Sequence, residues 1–130
     1  MKTVVICGSK KYKDEINKFA KELQKLGVVV FEPNFEEVVH EDFFVKSKPI
    51  TKAIFKGLTL EHFDWIRKAE VCFIYNKDNY AGVSVSMEMG FASAMGKPIY
   101  ALSPHTGDPS RDALIDKVAA SAEELVLLLK

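Results

Sequence analysis

The sequence predicts an α/β fold in a single domain spanning residues 1–130: a parallel sheet of four to five strands, ordered 2-1-3-4-5, with helices on both faces in a three-layer sandwich. Three observations carry this expectation. Short β-branched runs recur without polar alternation, as in strands buried on both faces. Segments with apolar residues at helical spacing separate those runs. Glycine or proline punctuates most of the boundaries, where a helix or strand has to stop.

Taken in order, TVVIC at 3–7 is a first strand running into a Gly8-Ser9 turn, and it does not read as a signal peptide. Residues 12–26 place Ile16, Phe19, Ala20, Leu23 and Leu26 on one helical face, and Gly27 supplies the stop. VVVF at 28–31 is a second strand closed by Pro33, so strand, helix and strand form a right-handed βαβ unit. Residues 34–56 show no clear strand and read as a long excursion with a short helical piece at 35–40; connections of that length are commonly functional. Thr59 is placed to cap a helix through Ala69, before VCFIY at 71–75 as strand three. Ser84 is placed to cap a helix that ends at Gly96, with Lys97 and Pro98 beyond it. Strand four follows at 99–102, then a short helix at 109–117 and a small edge strand at 118–119. Ser121 with Glu124 forms a capping box for the last helix.

Composition excludes several classes of function. The chain has 48% hydrophobic residues, and its eighteen basic and eighteen acidic side chains cancel, so no whole-chain field attracts nucleic acid or an anionic membrane. No apolar run approaches a membrane span. Cys7 and Cys72 each fall in a predicted strand and read as small buried hydrophobes, with neither CxxC nor paired-histidine spacing for a metal. His40 and His105 likewise lack metal spacing. No metal and no cofactor are expected, and the location expected is cytoplasmic. GxGxxG and P-loop patterns are both absent from the sequence.

Ligands of open α/β sheets bind at the carboxyl ends of the strands. Three segments meet there: CGSKKY after strand one, YNKDNYAGVS after strand three and LSPHTGDPSRD after strand four. Gly8, Ser9 and Lys11 offer turn amides, a hydroxyl and a cation, a combination suited to an anion. The sharper feature is Glu88, the lone acidic or basic side chain in the stretch 80–96. A buried carboxylate costs several kcal/mol unless something compensates it, and a helix N-terminus contributes only about 0.3–1 kcal/mol. Glu88 therefore either pairs with a neighbouring segment or lines a ligand pocket.

With these residues in view, the chain resembles the nucleoside 2-deoxyribosyltransferases and the related 2′-deoxynucleoside 5′-phosphate N-hydrolases. The resemblance rests on VVICGSKKYKDEINKFAKELQKLGVVVFEP, HFDWIRKAEVCFIY and GVSVSMEMGFASAMGKPIYALSP, and it omits residues 34–56. It implies a flavodoxin/Rossmann-like strand order and a small-molecule nucleoside or 5′-monophosphate as substrate. It makes Glu88 the nucleophile that attacks C1′ and forms a glycosyl ester. It also implies a homodimer or higher homo-oligomer. At the family's usual aspartate stands His62, with Asp64 close in sequence; both are expected to be catalytic beside Glu88, and His62 is able to act as a general acid. At the family's usual tyrosine in strand one stands Val5. Ser84 and Ser86 are expected as donors to Glu88. Gly8, Ser9, Lys11, Tyr12, Gly82, Ser84, Ser86, Ser110 and Arg111 are expected to bind substrate. A non-catalytic nucleotide-binding or sensing protein on the same fold is the alternative.

Overall fold

The computed structural model describes residues 1–35 and 48–130, and the elements below all lie in those segments. Five strands, β1 (Val4–Gly8), β2 (Val30–Phe31), β3 (Val71–Tyr75), β4 (Ile99–Ala101) and β5 (Lys117–Val118), form one sheet in the order β2-β1-β3-β4-β5. Every pairing is parallel, as the βαβ reading requires. The expected order 2-1-3-4-5 is thus the observed one.

Alternate strand residues feed two separate cores. On one face Val4, Ile6, Val71, Phe73 and Tyr100 pack with Ile16, Phe19, Ala20 and Leu23 of α1 (Lys13–Lys25) and Leu125, Val126 and Leu129 of the last helix, α5 (Ala122–Leu129). On the other, Val5, Cys7, Cys72, Ile74, Ile99 and Ala101 pack with Ile66 from α2 (Lys48–Lys68), with Ala69 just beyond it, and with Val85, Met89 and Ala92 of α3 (Val83–Ala94). Burial on both faces explains why the strands lack polar alternation. A short helix, α4 (Pro109–Asp112), lies between β4 and β5.

The helix stops act as their glycines require. Gly27 (φ +89°) and Gly96 (φ +70°) end α1 and α3 in the left-handed conformation. Backbone bonds Val28 N–H to Leu23 O and Lys97 N–H to Ala92 O close the corresponding C-terminal turns. At α5, Ser121 Oγ accepts from the Glu124 backbone N–H and Glu124 Oε2 from that of Ala120.

Several boundaries differ from expectation, each for a local reason. The helix expected from Thr59 begins at Lys48, with Pro49 in its first turn where a missing N–H is harmless. Thr59 is internal to it, its hydroxyl bonded back to Phe55 O at 2.8 Å. Strand two is shorter than expected, starting at Val30, and the helix at 109–117 closes after one turn at Asp112. The edge strand lies one residue earlier, at Lys117–Val118. The N-cap of α3 is Gly82 and not Ser84, which is exposed within the first turn. Of the helical piece expected at 35–40, Phe35 has no regular structure and the rest lies outside the described residues. Among the described residues, no helix is long and apolar enough to cross a membrane.

Candidate functional site

Three elements converge beneath the carboxyl end of the sheet. Strand β1 delivers Cys7, one residue before its end, on the face that α2 and α3 cover. Helix α2 delivers His62 from its C-terminal half, and α3 delivers Glu88 from its second turn. His62 Nε2 lies 3.0 Å from Glu88 Oε2 and 3.2 Å from Cys7 Sγ. Cys7 Sγ is in turn 3.5 Å from Cys72 Sγ on the neighbouring strand β3. The Trp65 ring meets His62 edge-on with centroids 5.8 Å apart, and so fixes the imidazole from the side.

Burial decides which charges this pair carries. The side chains of His62 and Glu88 are only 9% and 13% exposed. Loss of hydration pushes the Glu88 carboxyl up from 4.5 to about 8 and the His62 imidazole down from 6.5 to about 4. A separation of 3.0 Å suits either an ion pair or a neutral O–H···N hydrogen bond. Because desolvation opposes both charges, the neutral form prevails at pH 7: Glu88 carries the proton and donates it to Nε2. Burial likewise raises the Cys7 thiol well above its ordinary range, assisted by its hydrogen bond with Cys72. The site therefore holds one mobile proton between a carboxyl and an imidazole.

This has a measurable signature in stability. Glu88 is raised relative to the unfolded chain, so its contribution is present at low pH and lost as pH rises from 4.5 to about 8. His62 is lowered, so its contribution has the opposite slope between about 4 and 6.5. The two cancel from 4.5 to 6.5, leaving the Glu88 slope alone from 6.5 to about 8. Over that interval of one and a half units, at about 1.4 kcal/mol each, unfolding free energy is expected to fall by about 2 kcal/mol. Urea denaturation across this range checks the fall, and Glu88→Gln is expected to abolish it.

The other residues singled out in the sequence lie in three places. Asp64 is on the outer side of α2, half-exposed, and pairs with Lys68 at 2.8 Å. In the first turn, Gly8 packs tightly enough that a Cβ there would approach Ile16 Cδ1 to 2.5 Å, and Ser9 Oγ accepts from the Lys11 backbone N–H at 3.2 Å. Lys11 Nζ stands 5.4 Å from the Tyr12 ring centroid and 4.9 Å from that of Tyr80. Tyr12, buried, donates its hydroxyl to Asp78 Oδ2 at 3.1 Å. Asp78 and Asn79, both at positive φ, turn the loop after β3 toward this aromatic pair.

Ser86 and Arg111 belong to a lock between loops. Arg111 donates through Nη1 to Ala81 O (3.0 Å) and Ser86 Oγ (2.7 Å), and through Nη2 to Thr106 O (3.1 Å). Ser86 Oγ passes its own proton to Gly82 O at 2.9 Å, which orders the start of α3. Among the described residues, the hydrogen-bond partner of Glu88 is thus His62, and neither Ser84 nor Ser86 serves it. Ser110 and Arg111 give their backbone N–H groups to Asp108, the N-cap of α4. Since Arg111 alone ties three acceptors, Arg111→Met is expected to destabilise the protein by about 2–3 kcal/mol in urea titration.

Two residues of this region had no role in the sequence reading. Cys7 had been assigned to the core, and it is fully buried, but its sulfur contacts His62. Its position at the end of strand one, immediately before Gly8, places it at the carboxyl edge of the sheet. Buried Asn76, just past β3, donates to Ser103 O and His105 O and accepts from the Ser103 N–H, so it clamps the loops after β3 and β4 together. A separate groove of about 450 Å³ opens at the end of β2, between Lys13, Glu32, Asn34, Glu61 and Trp65. Trp65 connects it to the His62 side of the site.

No protein-family model matches the chain, and no curated protein does. Among solved structures, it is similar to a 2-deoxyribosyltransferase from the psychrotolerant bacterium Bacillus psychrosaccharolyticus, described as a biocatalyst for nucleoside synthesis. That similarity has a TM-score of 0.65 at 22% identity and covers 95% of this chain and 89% of the other. A conserved protein from Enterococcus faecalis V583 is similar with a TM-score of 0.60 at 17% identity, over 98% of this chain and 96% of that one. At these identities the likeness is one of fold, and it extends over nearly the whole chain.

Proposed function

We propose that the protein cleaves or transfers the N-glycosidic bond of a nucleoside or its 5′-monophosphate, with Glu88 as nucleophile and His62 as its proton partner. The observation that carries the proposal is the 3.0 Å pair of His62 and Glu88, desolvated at the carboxyl edge of the sheet where ligands of such folds bind. The nearly full-length fold likeness to a 2-deoxyribosyltransferase supports the substrate class.

The one-proton pair suits the chemistry. The Glu88 proton passes to His62 as the carboxylate attacks C1′, forming the C1′–O ester bond. As the C1′–N bond breaks, the base leaves with a proton delivered through the imidazole. Water then attacks C1′, the C1′–O bond to Glu88 breaks, the water's proton returns to the pair and the free sugar leaves; a second base in place of water gives transfer. The protein supplies position and a dry setting for both steps. A homo-oligomer, a cytoplasmic location and a role for Lys11 and Ser9 toward a 5′-phosphate belong to the same proposal.

Incubation with a panel of nucleosides and 5′-monophosphates, followed by chromatography for free base, tests it. Release of base from at least one member is expected. The second reading, a nucleotide-binding protein without catalysis, is motivated by the protonated resting state of Glu88 and by Val5 in the first strand. Nucleotides that raise the melting temperature while no base is released from any of them support that reading instead.

A further inference from the structure

We propose that Cys7, His62 and Glu88 also form a three-ligand site for a borderline divalent cation of the Zn²⁺ class, and that an ion there stops base release by occupying the Glu88 carboxylate. The second half rests on the function proposed above; the first half does not. Neither step of that reaction uses Cys7, yet its sulfur sits in the same cluster.

The geometry points to a metal of this class. One donor atom from each residue, Cys7 Sγ, His62 Nε2 and a Glu88 oxygen, lies within 4.8 Å of the other two. The two shorter separations are 3.2 Å for sulfur to nitrogen and 3.0 Å for nitrogen to oxygen. Around a tetrahedral Zn²⁺, ligand bonds of about 2.3 Å to sulfur and about 2.0–2.1 Å to nitrogen and oxygen set such separations at about 3.3–3.6 Å. Those two separations therefore need to open by only a few tenths of an ångström, and the third, within 4.8 Å, has to come to about 3.6 Å. A mixed S, N, O set selects Zn²⁺ or Co²⁺ over Mg²⁺ and Ca²⁺, which take oxygen ligands.

The surroundings are also those of a metal site. Cys7 is held in an interior strand of the sheet, and its backbone is fixed by pairing with β3. Cys72 Sγ, 3.5 Å from Cys7 Sγ, is placed to donate a hydrogen bond to a Cys7 thiolate. Three protein ligands leave a fourth position open, the pattern of reactive and exchangeable sites. Glu88, the least buried of the three, gives the ion its route in. Binding releases the Cys7 thiol proton and the proton between His62 and Glu88, so the cation and the reaction compete for the same groups.

Titration of chelator-treated protein with Co²⁺ reads the site directly. One equivalent is expected to produce a thiolate-to-cobalt charge-transfer band in the near ultraviolet, displaced by Zn²⁺. Cys7→Ala is expected to remove the band, and Cys72→Ala to retain it. Glu88→Gln, which keeps the shape of the protonated carboxyl, is expected to keep the band and weaken binding by about tenfold or more. No band at stoichiometric Co²⁺, or a band unchanged by Glu88→Gln and Cys7→Ala, overturns the cation site whatever the enzyme assay shows. Should Cys7→Ala fail to fold by circular dichroism, the Glu88→Gln titration decides alone. Zn²⁺ is expected to inhibit base release with the affinity that the Co²⁺ displacement reports; cobalt binding without such inhibition overturns the switch and leaves the glycosidic reaction standing.

Discussion

Glu88→Gln is expected to lower base release by about 10⁴-fold or more while leaving the fold in place. The amide keeps the size and planarity of a protonated carboxyl and still donates toward His62 Nε2. Since burial holds Glu88 in its protonated form at neutral pH, glutamine reproduces the resting charge, and a cost in stability below about 1 kcal/mol is expected. What it lacks is an oxygen able to bond C1′. The contrast between lost turnover and retained melting temperature separates a nucleophile from a structural acid. Glu88→Ala is expected to lose turnover equally and also to leave a void beside the buried His62 ring, which makes it the less informative substitution. Full activity in Glu88→Gln contradicts the assignment.

His62→Gln is expected to reduce base release by about 10²–10⁴-fold, the usual range for a proton-transfer partner. Its pH profile carries more information than its magnitude. In the proposed mechanism the reactive state is the one-proton pair, so activity is expected between about 4, where His62 gains a proton, and about 8, where the pair loses its own. The loss above about 8 is tenfold per unit. His62→Gln removes the acidic limb, because the group that titrates there is gone. A profile with both limbs intact in the variant assigns the acidic limb to another residue and removes His62 from the mechanism.

Much of this arrangement was legible in the sequence, and the reasons are specific. Strands such as VVICG and VCFIY are continuous runs without polar alternation because both faces are covered, and Gly27 and Gly96 stand where the helices have to stop. Glu88 was visible as a lone acid in an apolar helix, a pattern that demands either a partner or a ligand. Its partner His62 was named from the resemblance, but Cys7 was not, because residues 55 positions apart share no local spacing. The start of α2 was hidden for a different reason. Its first turns leave Ile50 and Phe55 exposed, so the apolar spacing that signals an amphipathic helix is absent there. Ser84 was a reasonable cap by residue type, but Gly82 takes the extended conformation and Ser86 and Arg111 order the turn instead. Those contacts span about 25 residues and depend on the loop after β4 folding back over α3.

The proposed mechanism passes through a covalent bond between Glu88 and the sugar. Rapid acid quench of enzyme in excess over a reactive nucleoside or 5′-monophosphate, followed by peptide mass spectrometry, examines that bond directly. The peptide containing Glu88 is expected to gain the mass of the glycosyl group, in step with release of the base, and Glu88→Gln to gain none. Stoichiometric release of base with the mass on another residue, or with no peptide modified at any quench time, contradicts it.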